Sequence, residues 1–248
     1  MSPRRGTTAA GSAAAEHATG AVVSGAGGAR IRSAVETLGL EIVASGAGFV
    51  VVNKPPGLLS VPGKGEANQD CVASRVRAMF PDARGPVTVH RLDMETSGLI
   101  VAALDADSHR HLSRQFEART VGKRYAAVLG GGAWRDDEPT TGEVRLPVRI
   151  DPDRRPLQVV DFEHGREAWT KYEVVGREAA GARVAFEPMT GRTHQLRVHA
   201  AYGLKRPIVG DRLYGGAPAP RLMLHAAWLA FDDPSSGARV EASTPTPF

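Results

Sequence analysis

The sequence predicts an α+β protein built on a mixed, mostly antiparallel sheet flanked by helices and loops. Three observations carry that expectation. Several short apolar runs of strand length are stopped by glycine or proline, and other stretches repeat apolar residues at helical spacing. The two kinds do not alternate strictly, as a doubly wound parallel sheet would require.

Taken in order, Phe49-Val50-Val51-Val52-Asn53-Lys54 reads as a buried strand stopped by Pro55-Pro56-Gly57. Residues 71–80 place Val72, Val76, Met79 and Phe80 on one helical face, with Asn68 or Asp70 available as N-cap. Residues 98–104 (GLIVAAL) form a second buried strand, residues 108–118 a helix with Leu112 and Phe116 inward, and residues 125–129 a further strand. The polar segment 134–165 carries Pro139, Pro147, Pro152 and Pro156, which confines it to loops and short edge strands. Strands resume over 170–175 and 183–187, a helix runs from 193 to 202 and stops near Gly203, and a final strand spans 222–231.

Composition narrows the classes of function. No stretch approaches the ~18 consecutive apolar residues of a bilayer-spanning helix. The first residues also lack the basic flank and compact apolar run of a secretory leader, so a cytoplasmic protein is expected. A single cysteine, Cys71, excludes an intramolecular disulfide and a Cys-cluster metal site. Of the 31 basic residues 26 are arginine, whose planar fork suits phosphate, while a net charge of +4 fits one basic groove rather than a basic coat. A biased codon composition explains the same arginine excess. Residues 1–30 hold 9 Ala and 6 Gly with Val22 and Val23 as the only branched apolar residues, so residues 1–35 read as a disordered tail and 40–248 as one domain.

Three segments could carry chemistry. The first, from Val89 to Val101, sets His90, Arg91, Asp93 and Glu95 in a polar turn just before an apolar strand, where side chains are both positioned and reachable. Taken alone, Asp93 could as well cap its own turn and pair with Arg91. The second, from Met189 to His199, reads as a turn into a helix N-terminus that attracts phosphate or carboxylate, or as an ordinary capped helix; Arg197 shares a face with Thr193. The third is Lys123-Arg124-Tyr125, where the tyrosine either fills the core or stacks on a nucleobase. His90, His194, His199 and His225 match no metal-ligand spacing, and His194 and His199 lie about 140° apart on a helix. No phosphate-binding or dinucleotide loop is present, so neither metal nor cofactor is expected.

Together, His90-Arg91-Leu92-Asp93 with Thr96-Ser97-Gly98, then Lys123-Arg124-Tyr125, then Gly191-Arg192-Thr193-His194-Gln195-Leu196-Arg197-Val198-His199 resemble the RluA family of pseudouridine synthases. Asn53-Lys54-Pro55 with Gly57, Gly210-Asp211 with Tyr214-Gly215, and Leu224-His225-Ala226 extend the resemblance over the domain. It implies the pseudouridine synthase fold, with a catalytic cleft across the sheet, and isomerisation of uridine without a cofactor. Asp93 would be the catalytic carboxylate, Tyr125 would stack on the base and help remove the C5 proton, and Arg197 would pair with Asp93 and aim it. Arg91 would help extrude the base or fill its vacated position, with His90, Arg192, Thr193, His194, Gln195 and Leu196 around the substrate. The stretches 57–63 and 146–175 resemble the branch acting on both a tRNA anticodon stem-loop and a large-subunit rRNA hairpin; an rRNA-only sibling and a non-catalytic RNA-binding protein are the alternatives. The first 40 residues are too short and too poor in apolar residues for the S4 domain that many members carry. A monomer without membrane contact is expected. Arg154 and Arg155 are expected to border the cleft.

Overall fold

In the computed structural model, which describes residues 38–248, eleven strands, nine of them in one long sheet, combine with three α-helices. The Ala/Gly-rich tail expected over 1–35 lies outside the described residues. The strands are β1 Glu41–Ser45, β2 Phe49–Lys54, β3 Ser97–Ala103, β4 Gly122–Leu129, β5 Thr141–Arg145 and β6 Val148–Ile150. They continue with β7 Gln158–Val160, β8 Trp169–Glu178, β9 Gly181–Pro188, β10 Leu224–Asp232 and β11 Arg239–Ser243. The helices are α1 Val72–Met79, α2 Ala106–Glu117 and α3 Gln195–Val198, the last continuing as a π-helical turn over His199–Gly203.

The main sheet runs β1-β2-β3-β10-β4-β9-β8-β5, with β11 also on β10, while β6 and β7 pair apart. Every pairing in the main sheet is antiparallel except β3 with β10, which share only His225 opposite Ser97 and Ala226 opposite Gly98. This short parallel joint is where the two halves of the sheet meet. It requires glycine at 98: φ is 110, and a Cβ there would lie 2.3 Å from the Ala226 carbonyl oxygen.

All seven residues of β3 are buried, because α1 covers one face and α2 the other. Val50, Val52, Ile100 and Ala102 pack with Val72, Val76 and Met79 of α1, while Phe49, Val51, Leu99 and Val101 pack with Leu112 of α2. A strand buried on both sides needs a continuous apolar run, which β2 and β3 have. The opposite half of the sheet has its own core, in which Val184 and Phe186 of β9 and Ala127 and Leu129 of β4 meet Leu196 and Ala200.

Several boundaries depart from expectation. The cap of α1 is Cys71 itself, whose Sγ accepts the Ser74 N–H while Ser74 Oγ accepts the Cys71 N–H, so neither Asn68 nor Asp70 caps it. The helix expected over 193–202 begins only at Gln195, because His194 stands in the left-handed region at φ 53; it ends at Gly203 as expected. Strands β1 and β11 were not anticipated.

Candidate active site

The segment before β3 is fastened from below. Ser60 Oγ donates to the Leu92 carbonyl at 2.7 Å and accepts the Leu92 N–H at 3.0 Å. Lys54, at the end of β2 and wholly buried, donates from Nζ to the carbonyls of Pro55, Leu58 and Met94 at 2.9, 2.8 and 2.8 Å. The Met94 carbonyl also accepts the Gly57 N–H at 2.9 Å, and the Thr96 N–H bonds the Asp93 carbonyl at 3.1 Å. The Asp93 carboxylate thus stands half-buried on a loop bolted at Leu92 and at Met94. Burial pulls the Lys54 ammonium down to about 7 against the charges of Asp93 and Glu95.

Asp93 and Tyr125 face a cavity of about 290 Å³ with Arg91, Arg192, Thr193, Gln195, Leu196 and Arg197. Tyr125 comes from β4, opposite Phe186 of β9 and Ala226 of β10. Burial, and after it the Asp93 charge, push the phenol above its ordinary value, so it is protonated at neutral pH. The polypeptide therefore brings three elements from both halves of the sheet to one cavity.

Arg197 corrects the expected pairing. Its Nε and one terminal nitrogen both bond Asp211, at 2.7 Å each, with the side chains 4% and 0% exposed, so its two-pronged partner is Asp211 rather than Asp93. Burial works most strongly against the guanidinium charge, and only the Asp211 bonds together with the charges of Asp211 and Asp93 outweigh it, so the pKa is raised. Asp93 is thus within electrostatic reach of Arg197 without being its hydrogen-bond partner. Asp211 is itself held by the N–H groups of Leu213 and Tyr214 at 3.0 and 3.2 Å.

Gln195 faces the cavity yet turns its amide inward. Its carbonyl oxygen accepts from Thr190 Oγ at 2.7 Å and from the Arg192 N–H at 3.0 Å, and its amide nitrogen donates to the Trp169 carbonyl and to Thr170 Oγ. This ties down the turn 190–194, which explains the late start of α3. Two predicted residues stand apart from the cavity. His90 stacks on Phe116 with centroids 4.4 Å apart and accepts the Val101 N–H on Nε2 at 3.0 Å; it lines an adjoining cavity instead. His194 is buried with Nδ1 2.7 Å from the Tyr214 hydroxyl. Arg154 and Arg155, expected to border the cleft, line neither of these two cavities, and Arg154 Nε bonds Asp151 at 2.8 Å.

Sequence reasoning missed Lys54 and Asp211 as site residues. The signal for Lys54 was a charge closing an apolar strand. For Asp211 it was a Gly-Asp turn whose partner lies fourteen positions away in sequence, which spacing alone does not reveal.

A mostly antiparallel sheet with a cleft at its central joint, a carboxylate and an aromatic ring inside and arginines at the rim is the arrangement of an RNA-modifying enzyme. A family described as RNA pseudouridylate synthase matches residues 48–202, more than half of the sequence, and the chain belongs to that family. It is 46% identical over 205 residues to the dual-specificity RNA pseudouridine synthase RluA of Escherichia coli (strain K12), covering 81% of this chain and 90% of that one. The enzyme of the same description from Pasteurella multocida (strain Pm70) is 43% identical over 214 residues, covering 84% and 94%. Among solved structures, human RNA pseudouridylate synthase domain containing 1 superposes with a TM-score of 0.68 at 30% identity, covering 84% of each chain. The human domain containing 4 protein gives 0.68 at 25% identity, covering 89% and 92%. The protein is accordingly an isomerase that converts uridine in RNA to pseudouridine. Among the described residues no helix is long and apolar enough to cross a membrane.

Proposed function

We propose that the cleft takes a uridine turned out of an RNA hairpin loop, and that the substrates are a tRNA anticodon stem-loop and a large-subunit rRNA hairpin. The single observation that carries the site assignment is the convergence of Asp93, Tyr125 and Arg197 on one cavity beneath a fastened loop. Relatives named dual-specificity at 43–46% identity support the pair of substrates. With such substrates the cytoplasm is the proposed location and a monomer the proposed working state.

The reaction breaks the N1–C1′ bond, joins C5 to C1′, removes the C5 proton and places one on N1. Asp93 acts at the ribose, by taking a proton or by bonding C1′; a carboxylate is suited to both. Arg197, fixed by Asp211, supplies positive charge beside Asp93. Tyr125 enters as a neutral phenol with its ring against the base. Arg91, exposed at the rim, fills the place the base vacates. A loop substrate follows, since unstacking costs a few kcal/mol in a duplex and less in a loop.

Asp93→Asn tests the assignment, because the amide keeps the shape and loses both functions. Tritium release from labelled uridine should fall to background while RNA binding stays within about tenfold. Measurable turnover by the purified variant removes Asp93 from the reaction. Modification of an rRNA hairpin but of no tRNA stem-loop would reduce the substrate class to rRNA alone.

A further inference from the structure

Beside the base cavity lies a larger one of about 600 Å³, sharing Arg91, Lys123, Tyr125, Thr190, Gly191 and Arg192 with it. Arg119 and Arg166 complete a wall of five cations facing one carboxylate, Glu117. None of the five joins an ion pair with a described residue. Phe116 and His90 are stacked on each other in the wall, and cations outnumber the one carboxylate among the charged groups that face the cavity. The cations also act on one another: burial lowers the Arg192 pKa, with Arg166 and Arg119 adding to it, and burial followed by Arg119 lowers that of Lys123.

Arg119 sits where its backbone does not favour it. Helix α2 ends in a Schellman turn, in which the Thr120 N–H bonds the Gln115 carbonyl at 3.0 Å and the Arg119 N–H bonds the Phe116 carbonyl at 3.2 Å. The residue at that corner takes a left-handed conformation, and Arg119 has φ 60. Glycine is the usual occupant because it has no Cβ to clash. An arginine there forgoes the conformational ease of glycine and sets a guanidinium in the cavity wall.

We propose that this cavity is the subsite for the backbone phosphate next to the target uridine, held by Arg119, Arg166 and Arg192. Guanidinium forks match phosphodiester oxygens, and a phosphate adjoins every base along the chain. The proposal rests on the assignment of the Asp93 cavity to the base. Held there, the phosphate fixes where the strand turns as the base leaves the stack.

The test combines Arg119→Gly with a hairpin RNA carrying one methylphosphonate at a time around the target uridine. Neutralising the phosphate next to the uridine should weaken binding to the wild type about tenfold. Arg119→Gly should bind the natural RNA about tenfold more weakly, and should lose little more when that same phosphate is neutral. The loss should fall on KM rather than kcat. The variant should melt no lower than wild type, since glycine suits the turn. Arg166→Ala should show the same non-additivity. Lys205→Gly, at an exposed residue with φ 57, removes the same charge and relieves the same backbone, and should leave RNA affinity at the wild-type value.

Wild-type affinity in Arg119→Gly, full additivity with every methylphosphonate, or a lower melting temperature in that variant would each overturn the proposal. Binding is read without turnover. An error in the chemical role given to Asp93 would therefore appear in the tritium-release assay and leave the methylphosphonate pattern intact.

Discussion

Asp211→Asn removes one charge from a pair that water does not reach, the side chains of Asp211 and Arg197 being 0% and 4% exposed. The amide keeps the shape of the carboxylate and still offers an oxygen to the Leu213 and Tyr214 N–H groups, so the change reduces to a buried guanidinium without its counter-charge. Removing one partner of such a pair costs about 3–5 kcal/mol. For a domain of this size each kcal/mol moves the midpoint by ~2–4 °C, so melting should fall by roughly 6–20 °C. Scanning calorimetry checks this directly. Turnover, measured well below the new midpoint, should fall about tenfold to a hundredfold, because the guanidinium beside Asp93 loses its aim. The double variant Arg197→Met with Asp211→Asn separates a pair from two independent residues. It should lose clearly less stability than the sum of the single changes, since no lone charge stays buried. A single Asp211→Asn that melts within about 2 °C of wild type, or single effects that simply add, would refute the reasoning.

Tyr125→Phe should keep folding and RNA affinity while slowing turnover about a hundredfold, the usual scale for loss of a proton-transferring group, and Tyr125→Leu should weaken binding as well; near-normal rates in both, by single-turnover assay, would leave the ring as filling. Leu112→Ala empties a fully buried site between α2 and the sheet, and chemical denaturation should show a loss of about 2–5 kcal/mol. Burial, with the Lys123 charge, holds His90 down at about 3, and burial, with the Arg221 charge, holds His225 at about 4. The unfolded chain takes up protons near 6.5 that the folded one refuses, so stability is full above that pH and declines as pH falls from 6.5 towards 4, by about 3 kcal/mol per histidine. Denaturant midpoints that stay flat from pH 6.5 to 4.5 would contradict this.

The elements legible in the sequence are those whose environment is uniform. β2 and β3 are covered on both faces and spell continuous apolar runs, and α2 shows its buried Leu112 at helical spacing. β1 and β11, by contrast, are short strands with mixed exposure, and five-residue stretches such as EIVAS and RVEAS carry no period that separates them from loop. The helix α3 starts later than its periodicity suggests because Gln195 and Thr190 are tied across the fold to Trp169 and Thr170, and the turn between them, with left-handed His194, is set by those long-range bonds. For the same reason the types of the site residues could be read from the sequence but not their pairings. Asp93 and Asp211 are equally plausible partners for Arg197 until the chain is folded, and Gln195 looks like a surface group until its amide is seen to face Trp169 and Thr170.

Lys54 gives the strand-end motif a meaning for how variants of this protein are interpreted. Its ammonium is enclosed, and one of its three acceptors is the residue immediately after Asp93. The position of the carboxylate is therefore inherited from a residue some forty places earlier that no RNA atom can touch. A lesion at 54 would impair catalysis as one at 93 does, although a ligand footprint would place it outside the site. The determinants of this site accordingly extend beneath its floor: exchange of Lys54 for arginine, conservative by charge, would ask a planar fork to replace a tripod of bonds and would shift the carboxylate it holds.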